Sequence, residues 1–248
     1  MRDCLVKVDY IAPIIKDLSN AFEGLRVSNL DVSELDVRQI TNMSNMFNGC
    51  TNLTQLNISN WSVNNVTNMS NMFNGCANLT VIGDITQWNT RQVIYMNNMF
   101  RDCSNLTTLN VSNLNTNSVT NMNSMFYNCS RLQTLDVSNW NINNVDNMNS
   151  MFYGCSRLQT LDVSDWNVGN VESMSNMFRD CSRLQTLDVS NWNVGNVESM
   201  SNMFYGCSSL IELNISDWNT SSVIDIDGMF NNCTSLQVLR VDNWVLND

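Results

Sequence analysis

The sequence predicts an α/β solenoid, with a parallel β-sheet along one face and short helices along the other. Three observations carry this. Cysteine recurs at residues 50, 76, 103, 129, 155, 181, 207 and 233, every step being 26 residues except one of 27. Within each period a short stretch alternates apolar and polar residues, as in Leu56-Asn57-Ile58, which is the pattern of a strand with one buried face. Just before each cysteine, apolar residues fall at i, i+3, i+4 and i+7, as in Met43, Met46, Phe47 and Cys50, which is the pattern of one helix face. A unit of this size cannot bury its apolar side alone, so successive units must stack into one continuous core.

Taken in chain order, residues 1–39 form two degenerate capping repeats. "VKVDYIAPIIKDLSNAFEGL" keeps a strand (Val6, Val8) and a helix face (Ile15, Leu18, Phe22), with Pro13 in the helix's first turn and Gly24 at its end. Residues 40–245 hold eight repeats, each predicted to run helix, turn, strand, turn. The position before each cysteine (Gly49, Asp102, Asn128, Gly154) suits a helix end. The single extra residue falls near Gly83, where a bulge is tolerated. The whole chain of 248 residues reads as one repeat domain with no C-terminal cap, because it stops just after "RVDNWVLND", a strand and its Trp. Residues 155–178 and 181–204 are almost identical, the mark of internal duplication.

The spacing Leu132-x-x-Leu135-x-Val137-x-x-Trp140 resembles a leucine-rich repeat, with Trp at the ninth position. The fuller unit "NMNSMFYNCSRLQTLDVSNWNINNV" is similar to the 26-residue repeat of the BspA-like surface proteins. That resemblance implies a right-handed superhelix on a cell surface or secreted, engaged in adhesion. The opening residues lack the pattern of a signal peptide, which keeps particle-associated and intracellular locations open.

Composition narrows the function. There is no histidine, no phosphate-binding loop, no dinucleotide-binding glycine motif and no zinc-spaced cysteine cluster, so no enzyme, cofactor or metal is expected. A net charge of -11 argues against nucleic acid, and no apolar run reaches the length of a membrane span. The Met, Phe and Trp columns read as core rather than a ligand groove, and the cysteine column as buried thiols, with disulfides between adjacent rungs as the alternative.

What remains is the outward side of the strands. Thr108, Thr134, Thr160 and Thr186 form one row, and Asn110, Asp136, Asp162, Asp188 and Asn214 another, at roughly 4.8 Å per rung. These nine residues are the expected contact surface for a protein or glycan ligand. The leading function is a non-enzymatic adhesion or recognition module. The alternatives are a structural or decorating part of a larger assembly such as a viral or phage particle, or an intracellular scaffold. Val241, Trp244 and Leu246, in the last apolar layer, are the expected site of end-to-end self-association.

Overall fold

The computed structural model of the chain describes residues 5–12 and 14–244. The chain winds as a stack of rungs whose side chains form inward columns. Strand β1 (Leu5–Lys7), β2 (Asn29–Asp31) and β3 (Gln55–Leu56) pair in parallel in that order, and β4 (Glu212–Asn214) pairs in parallel with β5 (Val238–Arg240). The register sets Leu30 beside Leu56 and Leu213 beside Leu239, one rung apart.

The expected helices do not form: no described residue lies in an α-helix. The cause lies in the backbone. Each MxxMF segment carries two residues in the left-handed region four positions apart, Asn45 (φ 56°) and Gly49 (φ 69°) in one rung, Ser150 (φ 57°) and Gly154 (φ 70°) in another. A left-handed residue every fourth position cannot sit in a right-handed helix. Backbone donors alternate instead. Met46, Asn48 and Cys50 donate to the carbonyls three residues back, while Asn45, Phe47 and Gly49 donate sideways to Ser70, Met72 and Asn74 of the next rung. Consecutive tight turns thus give the apolar spacing of a helix while spending half their donors between rungs. In the first rung the expected helix of Ile15, Leu18 and Phe22 is built the same way, with Leu18, Asn20, Phe22 and Gly24 donating to the second rung; Pro13 lies outside the described residues.

A second parallel ladder, absent from the sequence reading, runs unbroken at one residue per rung from Asp17 through Asn42 and Asn121 to Asp225. Thirteen residues separate it from the strand ladder in one rung (Thr160 against Ser173), half of the period. The first ladder is less regular: a bridge joins Gln55 to Val81 and another joins Thr160 to Thr186, with none between those rungs among the described residues.

The interior is built of single-residue columns. Phenylalanines stack face to face from Phe22 through Phe47, Phe126 and Phe178 to Phe230, with neighbouring ring centres 5.4 to 5.9 Å apart. The methionines from Met43 to Met229 are buried beside them. Each cysteine from Cys50 to Cys233 donates its S–H to the carbonyl of the phenylalanine in the preceding rung, at 3.0 to 3.2 Å. All eight are free thiols, and burial pushes that of Cys155 up to about 12. The tryptophans point inward. Trp61, Trp140, Trp166, Trp192, Trp218 and Trp244 donate their indole N–H to a strand Val or Ile carbonyl of the preceding rung, at 2.8 to 3.1 Å. Trp88 lies in the rung with the extra residue, and its indole N–H is buried without an acceptor among the described residues.

Candidate functional site

The strand face is set by local chemistry at each rung. A leucine and a valine (Leu135 and Val137) turn inward and are buried, so Thr134 and Asp136 between and beside them must face out. The strand then stops because the outward acid or amide turns back on its own chain. Asp136 Oδ1 accepts from the Ser138 N–H at 3.2 Å and from its hydroxyl at 2.8 Å. Asp162 with Ser164 and Asp188 with Ser190 repeat the arrangement. These are Asx turns, in which a side-chain carboxylate stands in for a backbone acceptor. The two bonds from Ser190 hold the Asp188 carboxyl below the usual carboxylate range.

Thr108, Asn110, Thr134, Asp136, Thr160, Asp162, Thr186 and Asp188 are exposed and Asn214 is half-buried. They line two adjoining depressions. One of about 530 Å³ spans Thr108, Asn110, Thr134, Asp136, Thr160 and Asp162. The other, of about 740 Å³, continues over Thr186, Asp188, Glu212 and Asn214 to Arg240. Arg240 is the cation of this lining and is ion-paired with Glu212. The acid row therefore has a structural duty as well as an outward one. Replacing Asp136, Asp162 and Asp188 by lysine removes three turn acceptors, so such a change does not leave the fold untouched; asparagine keeps the acceptor and removes only the charge.

Among the described residues, no group of three or more His, Cys, Asp or Glu side chains is arranged to hold a metal ion, and no helix is long and apolar enough to cross a membrane. At the far end, Val241 is 40% exposed and Trp244 is half-buried, stacked on Trp218 at 6.4 Å; Leu246 lies outside the described residues. The backbone N–H groups of Ile226, Gly228, Phe230 and Asn232, equivalent to those that join every earlier pair of rungs, meet no backbone acceptor among the described residues.

Sequence reasoning missed the second ladder and the donor role of the thiols. A signal for the former was present: Asn42, Asn68, Asn121 and Asn147 recur one residue before the first methionine of the unit, and each accepts from the N–H two residues on, at 2.9 to 3.1 Å. Nothing in the sequence distinguishes a cysteine that donates from one that only fills space.

Comparison with solved structures returns leucine-rich-repeat proteins. One from Bacteroides ovatus is 14% identical, with a TM-score of 0.37, covering 98% of this chain and 92% of that one. One from Eubacterium ventriosum is 12% identical, with a TM-score of 0.38, covering 94% and 77%. The pneumococcal vaccine antigen PcpA is 12% identical, with a TM-score of 0.43, covering 98% and 65%. No curated protein matches. The family described as "Mycoplasma protein of unknown function, DUF285" matches residues 16–135 and again 132–244, and the chain belongs to that family.

Proposed function

We propose that this protein is a non-enzymatic recognition module that binds a macromolecular partner through its strand face. The observation that carries the reading is the pair of adjoining depressions, lined by side chains with free hydrogen-bonding capacity and repeated from rung to rung. Repeat solenoids gain binding surface in proportion to rung number, since each added rung contacts only its neighbours. The resemblance of the repeat to BspA-like surface proteins supports a location at the cell surface and a role in adhesion.

The test places bulk on the face without touching the Asx turns. Thr134→Arg with Thr160→Arg is expected to abolish adhesion of the purified chain to host cells or matrix proteins that bind the parent, with an unchanged circular dichroism spectrum. Adhesion that persists in this variant removes the strand face from consideration.

A second reading, a part of a larger assembly, rests on the apolar layer of Val241, which is 40% exposed, and Trp244, which is half-buried. Sedimentation that stays monomeric up to high concentration, with Trp244→Ala changing nothing but stability, sinks it.

A further inference from the structure

Among the described residues the strand ladder makes no bridge from Val81 to Thr160 and again none from Thr186 to Glu212, and the longer of these openings has a chemical character. In the N-terminal rungs the leucine N–H of one strand donates across to the next, as Leu56 does to the Val81 carbonyl at 2.9 Å. The equivalent bonds from Leu109 to Thr134 and from Leu135 to Thr160 are not made, and neither are those on the other side, from Gln133 to Thr107 and from Gln159 to Gln133. The rungs here are held by the second ladder, the Phe stack and the Trp and Cys donors, while their strand segments make no backbone bonds to one another. The leucines beneath are slightly more exposed along the whole middle of the stack, Leu109 at 8%, Leu135 at 6%, Leu161 at 5% and Leu187 at 7%, against 2% for Leu56 and 1% for Leu213.

The depression of about 530 Å³ lies over this gap. Its floor is a narrow apolar strip, Leu109 and Leu135. Its walls are hydroxyl (Thr134, Thr160), amide (Asn110) and carboxylate (Asp136), interleaved with backbone N–H and C=O groups that have no partner in the chain. Open backbone groups of this kind bond to water until something with its own donors and acceptors replaces it.

A second observation comes from the duplicated units. The decapeptide CSRLQTLDVS is identical in the rungs that begin at Cys129, Cys155 and Cys181. The rest of the first two units, NWNINNVDNMNSMFYG against DWNVGNVESMSNMFRD, differs at nine of its 16 positions. Drift has spread through the unit and spared the segment that makes the strand face, its exposed Gln, Thr and Asp included.

We propose that the gap over Thr108, Thr134 and Thr160 is a carbohydrate-binding groove for a neutral oligosaccharide. The inference rests on the strand face being the recognition surface and names its ligand class. A sugar ring matches the groove because it has a small apolar face for the leucine strip and a rim of hydroxyls that both donate and accept. An acidic glycan is disfavoured by Asp136 and Asp162 in the lining. A protein partner needs an anchor pocket of aromatic or Arg contacts, and this groove has none. A peptide strand pairs along an edge, whereas the open backbone groups here run across the rungs.

The test is a printed array of neutral, sialylated and sulfated oligosaccharides, followed by calorimetric titration of the best binder against the whole chain. Neutral members are expected to bind. Thr134→Val and Thr160→Val, which preserve shape, are each expected to weaken binding about tenfold by leaving a ligand hydroxyl unpaired, and Thr120→Val, outside the groove, to change nothing. Hydrogen exchange at the amides of Leu109 and Leu135 is expected to be fast in the free chain, unlike that of Leu56, and to slow on binding. No binding at millimolar oligosaccharide, a preference for acidic members, or binding indifferent to both threonine variants overturns the proposal. If the chain adheres to a protein partner and Thr134→Arg with Thr160→Arg abolishes it while no glycan binds, the recognition face stands and this ligand class falls. Retained adhesion with lost glycan binding separates the two the other way.

Discussion

Two tryptophans in the same column are expected to respond unequally to the same substitution. Trp192 donates its indole N–H to the Val163 carbonyl at 2.9 Å and stacks between Trp166 and Trp218, at 6.4 and 6.3 Å. Trp88 is equally buried, at 2%, but its indole N–H meets no acceptor. Replacing either by phenylalanine loses a similar apolar area, so that loss largely cancels in the comparison. What differs is the hydrogen bond. Trp192→Phe forfeits a bond worth about 1 kcal/mol net, whereas Trp88→Phe removes a buried unsatisfied donor whose desolvation costs about 1 to 3 kcal/mol. Trp192→Phe is therefore expected to be the less stable variant by about 2 to 4 kcal/mol, with Trp88→Phe close to the parent. The assay is urea denaturation followed by far-UV circular dichroism, comparing midpoints at equal slope. Equal destabilisation of the two variants refutes the reasoning, because it means that the indole bonds contribute nothing and only volume matters.

Further outcomes follow from the other columns. The seven buried column thiols, Cys50 to Cys207, are expected to resist a thiol reagent in the native chain and to react fully in guanidinium, with the half-buried Cys233 reacting first; a native reaction at Cys103 or Cys155 contradicts the burial described above. The same burial makes stability depend on pH. A thiol held neutral in the fold contributes fully below the unfolded value near 9 and loses that contribution as pH rises towards about 12 at Cys155, so the thermal midpoint is expected to fall steeply above about pH 9 and to do so less in Cys155→Ala, measured against its own midpoint at neutral pH. Ser150→Gly, at a left-handed position, is expected to stabilise by about 0.5 to 1 kcal/mol. Gly206→Ala is expected to destabilise by more than that, since its methyl group meets the Asp180 carboxylate in addition to the left-handed strain. The triple change of Asp136, Asp162 and Asp188 to asparagine is expected to keep the melting temperature of the parent and the change to lysine to lower it, as differential scanning calorimetry reads directly.

The division between what was legible and what was not follows the range of each interaction. Period, the inward sense of the Leu, Val, Met, Phe, Cys and Trp columns, and the outward sense of the Thr and Asp rows were all set by a repeat of 26 residues with alternating strands, because any stacked arrangement of such units must bury the same side of each. The helices were not legible from periodicity, since apolar residues at i, i+3, i+4 and i+7 fit consecutive tight turns as well as a helix. Asn45 and Gly49 carried the distinction, as residues that accept a left-handed backbone. That choice is stabilised only when a neighbouring rung offers the carbonyls of Ser70 and Asn74 to the freed donors, a condition that no single repeat contains. The open strand ladder over Thr134 is likewise a matter of how two neighbouring rungs align. The sequence by itself determined which residues face out; only the stacked structure decided that Asp136 closes its own turn, that Trp88 lacks an acceptor, and that the backbone beside Thr134 is left free to bond elsewhere, because each of these depends on a distance between residues about 26 positions apart.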